Sequence, residues 1–275
     1  MTAPQTKTPK PRAAALPEVS FSDYGNSRTL HLGSIWVQGS MLLDAPNEIE
    51  LEYVQRMMAW LLFVEPASVK ARHAMQLGLG AASLTKFCRK KIGMKTTAIE
   101  LNPGVIHACR GWFKLPPNDT KLQVLQADAA QEIQNPRWWG TVDALHVDLY
   151  DADAAAPVLD SAAFYADCRR LLTPDGCMAV NLFGRASSYE KSLAKITQAF
   201  GVNVNKKGSA EMAGVVSAFK ATREGNTVVL ARNVLLGNDG LPELPSRAQL
   251  ALRAENIHTR FGLPAPKWLR AFKLT

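Results

Sequence analysis

The chain has 275 residues, of which 47% are hydrophobic and 20% charged, a composition typical of a globular protein with a substantial buried core. Its formal net charge of +8 would suit a polyanionic partner such as nucleic acid, but basic residues near both ends explain the excess equally well as solvated surface. The longest apolar run, residues 57–64, is far shorter than the roughly 20 residues that span a bilayer, so no membrane segment is predicted.

The cysteines are scattered, with no CxxC pair and no histidine-rich partner spacing. This pattern predicts neither a zinc site nor a disulfide framework, and no other metal site is expected. Free thiols are typical of a reducing compartment, so we expect a cytoplasmic protein. The four are Cys88, Cys109, Cys168 and Cys177.

The N-terminal third contains three successive patterns. Residues 1–17 carry four prolines, three basic residues and no acid, which predicts a disordered tail, since the prolines disfavour the amphipathic helix of a transit peptide. Residues 18–46 show short β-type segments around a Tyr-Gly-Asn turn and predict a small β-hairpin unit. Asn47 then resembles a helix N-cap with Glu50 three residues later, which predicts a helix over 47–64.

The centre alternates short apolar runs with stretches of helical periodicity, which predicts an α/β fold with a parallel sheet. A turn-type sequence, Arg-Glu-Gly-Asn at 223–226, lies between two further apolar runs and predicts an antiparallel strand at the sheet edge. We assign 47–235 to a nucleoside-binding domain and 236–275 to a C-terminal helical extension. The apolar runs are 74–77, 96–101, 122–127, 144–149, 177–183, 215–219 and 227–231, and the helical stretches are 84–91, 104–113, 161–172, 189–200 and 246–261.

The first central strand leads into a glycine-rich turn that contains Gly78 and Gly80 and opens a helix at Ser83. Such a turn lets backbone N–H groups approach a ligand, although a tight strand-to-helix turn can need glycine for conformational reasons alone. Glu100 follows Gly80 by 20 residues at the end of the second strand, where an acid accepts hydrogen bonds from ribose hydroxyls. The spacing therefore predicts a nucleoside site.

Acids also end the third and fourth strands. Asp128, followed by Ala129, suits either an adenine contact or a helix N-cap, and both can hold together. Asp148, Tyr150 and Asp151 follow the fourth strand, where the order of strands in this topology reverses and a crevice forms. These three are the candidate catalytic residues, with a solvated acidic loop as the alternative.

Taken in order over residues 20–235, the motifs resemble the spermidine synthases and their bacterial relatives. The motifs are WVQG, LGLG, AIELNP, QADA, VDLYDAD, FY and LTPDGCMAVNLFG. The resemblance implies a seven-stranded methyltransferase-type sheet behind an N-terminal β unit.

The resemblance also implies roles for single residues. Gln38 matches the family glutamine that contacts the nucleoside, Glu100 the ribose acid and Asp128 the adenine acid. Asp148 matches the catalytic base, and Asp151 matches the second acid of the family's Asp-x-x-Asp motif, which helps to position the amine.

Two departures from the family pattern bear on the substrate. Ala81 stands where the family turn has an aspartate that holds the aminopropyl ammonium of decarboxylated S-adenosylmethionine, and residues 52–55 match the family's Tyr-His-Glu segment without its histidine. We expect aminopropyl transfer to a small-molecule amine. The alternatives are methyl transfer from intact S-adenosylmethionine, with Ser83 donating to its carboxylate, and a non-catalytic nucleoside- or nucleic-acid-binding module. A dehydrogenase is disfavoured because the third glycine is missing, and a homodimer is left open.

Overall fold

The computed structural model describes residues 16–150, 159–183, 186–201, 203–204, 210–237 and 241–273. Of the tail predicted at 1–17, only the last two residues are among them, and Asp151 lies outside the described residues.

The N-terminal unit is an antiparallel sheet of three strands, one more than a simple hairpin. Its strands are β1 (Val19–Tyr24), β2 (Ser27–Leu32) and β3 (Gly39–Leu42), in that order. Leu30 and Met41 are buried from its inner face against Leu79, Val105 and Phe113 of the larger domain. Since Leu79 lies between Gly78 and Gly80, the small sheet packs directly on the turn that contains these glycines.

The predicted helix over 47–64 is wrong at its start and in its form. Helix α1 (Glu52–Met57) has Leu51 as its N-cap without a side-chain cap, and residues Met58–Phe63 form a 3₁₀ turn. The reason is a tertiary contact. The Glu48 N–H donates to the carbonyl oxygen of Ala45 in a turn, and Ile49, which follows it, is buried in the core. The backbone is still extended at Leu51, so the helix begins only after it. Burial of Ile49 overrides the local capping pattern.

The main sheet has seven principal strands, the number that the family resemblance implies, in the order β10-β11-β8-β7-β4-β5-β6, and two two-residue strands, β9 and β12, pair with β10. Strands β4 to β8 are mutually parallel, while β11 is antiparallel to both neighbours. The strands are β4 (His73–Leu77), β5 (Lys95–Glu100), β6 (Leu122–Gln126), β7 (Val142–Val147), β8 (Leu172–Phe183), β9 (Asn203–Val204), β10 (Ala210–Phe219), β11 (Asn226–Leu235) and β12 (Phe272–Lys273).

The antiparallel strand does not lie at the sheet edge, contrary to the prediction. It is β11, which is inserted between β8 and β10. Residues 228–234 of β11 are all buried and five of the seven are apolar, so this strand gains most from an interior position in the sheet.

Helices cover both faces of the sheet and produce two main cores. The sequence-predicted helices are all present, although the one predicted at 84–91 is a short α-helix that continues as a π-helical turn over Phe87–Ile92. The remaining helices are α2 (Ser83–Lys86), α3 (Pro103–Gly111), α4 (Ala129–Glu132), α5 (Ala162–Leu171), α6 (Ala186–Ala199), α7 (Arg247–Phe261) and α8 (Ala265–Ala271).

The order of the strands reverses at β4, which pairs with β5 on one side and β7 on the other. In open α/β sheets the crevice at the carboxyl ends of such a strand pair is the usual ligand site. None of the helices in the described part of the chain has the length and apolar character needed to cross a membrane.

Candidate active site at the β4–β7 switch point

The glycine-rich turn after β4 contacts two other segments through backbone alone. Gly78 (φ +84°) and Gly80 (φ +51°) are both in the left-handed region. A Cβ on Gly78 would lie 2.2 Å from the carbonyl oxygen of Asp148, and one on Gly80 would lie 2.9 Å from that of Gln38. The fold therefore requires glycine at both positions whether or not a ligand binds there.

The N-terminal sheet is fastened to this turn. A Cβ on Gly39 would lie 2.6 Å from the backbone nitrogen of Ala81, and the Ser83 hydroxyl donates to the carbonyl oxygen of Ser40 at 2.7 Å. Gln38, just before β3, is therefore brought to the rim of the crevice. In this structure the Ser83 hydroxyl joins β3 to the turn, so donation to a cofactor carboxylate stays a prediction.

Glu100, at the end of β5, holds the turn from the other side. One carboxylate oxygen accepts from the backbone N–H of Leu79 at 2.9 Å and the other from that of Asn102 at 2.8 Å. Burial raises the pKa of Glu100, and backbone N–H groups, those of Asn102 and Leu79 first, oppose part of the rise. Each oxygen has a second lone pair that could accept from a ribose hydroxyl, and the ribose contact stays a prediction.

Asp128, after β6, is the N-cap of α4, as one of its two interpretations predicted. Its carboxylate accepts from the backbone N–H of Ala130 at 2.8 Å, while Ala129 is buried beneath it. The adenine contact of Asp128 and Ala129 stays a prediction, and capping places the carboxylate at the same rim as Glu100.

Asp148, after β7, accepts hydrogen bonds from two side chains. Its carboxylate accepts from the Tyr53 hydroxyl at 3.2 Å and from the Asn181 side-chain amide at 2.9 Å. Burial raises the pKa of Asp148 above its ordinary value, and the hydrogen bonds from Asn181 and Tyr53 offset part of that rise. Burial also raises the pKa of Tyr53 well above the ordinary value, so its hydroxyl keeps its proton and remains a donor.

Neither partner of Asp148 is among the site residues predicted from the sequence. Tyr53 lies within the segment matched to Tyr-His-Glu, so its phenol was visible as a candidate. Asn181 is a buried amide in the otherwise apolar run 177–183, which is a costly placement that calls for a partner.

Tyr150 bridges the end of β7 to β8. Its hydroxyl donates to the carbonyl oxygen of Asn181 at 3.1 Å and accepts from the backbone N–H of Phe183. Burial raises its pKa, so it is a neutral phenol. Its predicted catalytic role stays a prediction, as does that of Asp151, which lies outside the described residues.

Neither metal-binding nor thiol chemistry is apparent at this site. Within the ranges the structure describes, no group of three or more His, Cys, Asp or Glu residues could hold a metal ion. All four cysteines are buried free thiols. Burial raises the pKa of Cys88, Cys109 and Cys177 to about 12, so these thiols are not nucleophiles at neutral pH.

Comparison with known sequences gives relatives that match almost end to end. The polyamine aminopropyltransferase of Chromobacterium violaceum is 30% identical over 267 residues, 97% of this chain and 93% of the relative. That of Neisseria meningitidis serogroup B is 31% identical over 265 residues, 96% and 92% of the two chains. No protein-family model matches the chain.

Solved structures show the same fold at low sequence identity. A probable spermidine synthase from Corynebacterium glutamicum has a TM-score of 0.67 at 16% identity and covers 95% of this chain and 90% of its own. Human methyltransferase-like protein 13, in complex with SAH, has a TM-score of 0.59 at 19% identity over 78% of this chain and 93% of its own. With the sequence relatives, these findings make the fold that of spermidine synthases and methyltransferases, and the chain belongs to the polyamine aminopropyltransferase family of transferases.

Proposed function

We propose that this chain transfers an aminopropyl group from decarboxylated S-adenosylmethionine to a small-molecule amine, with Asp148 as the base. The observation that carries the proposal is the setting of Asp148. Its carboxylate lies at the switch point and is held by two neutral donors, Tyr53 and Asn181. Among the described residues, no lysine or arginine forms a hydrogen bond or ion pair with it, so its negative charge is left for a cationic substrate.

The reaction needs a base more than it needs any other group. An alkylamine has a pKa near 10 and is mostly protonated at neutral pH. Asp148 takes a proton from the ammonium and so frees the nitrogen lone pair. As that nitrogen forms its bond to the carbon beside the sulfonium, the carbon–sulfur bond breaks and methylthioadenosine leaves. The sulfonium is already an activated leaving group, so positioning and electrostatics supply the rest.

The nucleoside is proposed to lie across the carboxyl ends of β4, β5 and β6. The support is that Gln38, Glu100 and Asp128 all reach this rim, two of them from adjacent parallel strands. In this arrangement Glu100 accepts from the ribose, Asp128 from the adenine amino group, and Asp151 attracts the far end of the amine. Residues 18–46 would form a separate unit that covers the nucleoside domain, 47–235, and 236–275 a helical extension.

Methyl transfer from intact S-adenosylmethionine is the second candidate. The observation that favours it is Ala81, which is buried in the turn against Gly39, where a carboxylate would have attracted an ammonium. Without that acid, the turn offers no repulsion to the carboxylate of the intact cofactor.

Calorimetric titration of the purified protein with three ligands separates the candidates. We expect decarboxylated S-adenosylmethionine and methylthioadenosine to bind, and a diamine added with the former to yield methylthioadenosine. Methyl transfer instead predicts tight binding of intact S-adenosylmethionine and no methylthioadenosine. Binding of none of the three would overturn both proposals.

A further inference from the structure

The side-chain amide of Asn181 lies between two other polar side chains. Its nitrogen donates to Asp148 Oδ1 at 2.9 Å, and its oxygen accepts from the side-chain nitrogen of Asn226 at 3.1 Å. The three residues come from the ends of three adjacent strands, β7, β8 and β11. Asn181 is paired with Val228 across β8 and β11, so Asn226, two residues earlier, lies on the same face of the sheet.

The two hydrogen bonds of Asn181 fix which way its amide points. A primary amide has a donor end and an acceptor end, and turning it over exchanges them. An ionised carboxylate can only accept, so Asp148 needs the donor end. With Asn226 donating its own N–H to the acceptor end, the alternative orientation of Asn181 would lose both bonds.

Both asparagines are held in place by their surroundings. Asn226 ends a tight turn in which Thr222 N donates to Asn226 O at 2.7 Å and Asn226 N donates to Thr222 Oγ1 at 3.2 Å. The carbonyl oxygen of Asn181 accepts from the Tyr150 hydroxyl. The hairpin between β10 and β11 therefore holds the backbone of Asn226 in a fixed position beside Asn181.

We propose that Asn226 is a positioning residue that acts through Asn181 to orient Asp148 and to keep its carboxylate ionised. This proposal assigns a task in the active site to the β10–β11 hairpin, which does not itself touch Asp148. The catalytic importance of Asp148 rests on the proposed function, whereas the effect of Asn226 on the carboxyl group does not.

Among the described residues, few other groups around Asp148 change their charge near the pH at which its carboxyl group titrates. Tyr53 faces it from α1 and Tyr150 from the segment after β7, and both are phenols whose pKa lies above the ordinary value. His146, two residues earlier on β7, has its pKa lowered by burial to about 4, and Glu100 across the turn has its pKa raised by burial. A proton taken up by this carboxyl can therefore be assigned by comparison with Asp148→Asn and Glu100→Gln.

The direct test is carboxyl titration by NMR with ¹³C-labelled aspartate, using Asp148→Asn to assign the signal. We expect Asn226→Ala to raise the pKa of Asp148 by about half to one unit, since Asn181 then turns freely and donates for less of the time. Asn233→Ala is the matched control: it removes a buried asparagine from the same strand whose oxygen accepts from Arg169 instead, and it should leave Asp148 unchanged.

A double-mutant cycle tests whether the effect passes through Asn181. In an Asn181→Leu background, Asp148 has already lost its amide donor, so adding Asn226→Ala should change the pKa by less than about 0.2 units. An equal shift in both backgrounds, or no shift in either, would overturn the proposal. If Asn226→Ala does not fold, Asn226→Asp keeps the shape of the turn. Its carboxylate should attract the amide N–H away from Asp148, with a larger rise in pKa when Asn181 is present than when it is leucine.

Turnover supplies the second readout. We expect Asn226→Ala to lower kcat about fivefold with KM for the amine changed less than about twofold, and to move the acid limb of the kcat profile to higher pH. A wild-type chain without aminopropyl transfer would sink the proposed function, yet the NMR titration would still decide whether Asn226 controls Asp148.

Discussion

A Cβ atom on Gly78 would lie 2.2 Å from the carbonyl oxygen of Asp148, so the glycine-rich turn and the proposed base are in backbone contact. The ends of β4 and β7 can therefore pack this closely only with glycine at position 78. Any side chain at position 78 must push these two strand ends apart.

Gly78→Ala should therefore be strongly destabilising. The left-handed conformation costs an L-residue about 1–2 kcal/mol, and the clash with Asp148 O adds to it, so we expect a loss of at least about 3 kcal/mol in urea unfolding. Gly140→Ala is the control, because Gly140 has φ +68° with no atom within 4 Å of a built Cβ. Gly140→Ala should show only the conformational cost. Equal losses of unfolding free energy in the two variants would contradict the proposed clash at position 78.

Asp148→Asn should abolish turnover and leave nucleoside binding intact. The amide keeps the size of the carboxyl group but cannot take up the amine proton, so we expect kcat to fall by about 10²–10⁴-fold. Methylthioadenosine affinity, measured by calorimetry, should change less than threefold. Activity within a few-fold of wild type would remove Asp148 from the reaction.

The same variant should change the dependence of stability on pH. Burial raises the folded-state pKa of Asp148 above its unfolded value of about 3.9, so ionisation destabilises the folded state as pH rises through that interval. Asp148→Asn removes this cost. We expect its melting temperature to exceed that of wild type near pH 7 and to match it near pH 3, and a lower value at pH 7 would mean that the carboxylate is net stabilising.

Tyr53→Phe should move the acid limb of the pH–rate profile upward. The Tyr53 hydroxyl donates to Asp148 Oδ2, which favours the ionised carboxylate, so its removal should raise the apparent pKa by about half to one unit. Tyr24→Phe is the control, because Tyr24 is 90% exposed and lies outside the site. An unchanged acid limb in Tyr53→Phe would show that this hydrogen bond does not tune the base.

Glu100→Ala should weaken methylthioadenosine binding by about 1.5–3 kcal/mol, the typical contribution of a hydrogen bond to a charged group. Part of the loss could come from the turn itself, because Glu100 accepts from the Leu79 N–H. Glu100→Gln distinguishes the two causes: its carbonyl oxygen can still accept from Leu79, but it has no charge for the ribose. We expect an intermediate loss for Gln, and full affinity in Glu100→Ala with the fold intact would refute the ribose placement.

Ala81→Asp should increase the preference for decarboxylated over intact S-adenosylmethionine about tenfold, if one partly desolvated charge pair contributes about 1.4 kcal/mol. Intact S-adenosylmethionine should bind more weakly because the two carboxylates repel each other. Ala81→Asn is the control for size, since Ala81 is buried against Gly39 and any larger side chain must be accommodated. A hundredfold preference already present in wild type would show that another residue supplies the acid.

The sequence alone was sufficient for the class of fold, the order of its elements and the rim on which the acids lie. These features depend on local patterns: apolar runs and helical periodicity specify a parallel sheet, and an acid at a strand's carboxyl end must lie at the ligand-binding edge. Glu100, Asp128 and Asp148 can therefore be predicted from the sequence as acids at this rim. The predicted start of α1 at Asn47 was wrong, because the burial of Ile49, a long-range effect, overrides an N-cap pattern that is purely local.

Only the tertiary structure decided which side chains surround Asp148. Tyr53 lies 95 residues before it, Asn181 lies 33 after it and Asn226 reaches it through Asn181, so no local pattern relates them. The antiparallel strand was likewise predicted wrongly at the sheet edge, because its interior position depends on which neighbours can cover both buried faces of β11. Composition and periodicity determine whether a segment forms a helix or a strand, whereas hydrogen-bond partners between distant segments depend on how the strands are ordered in space.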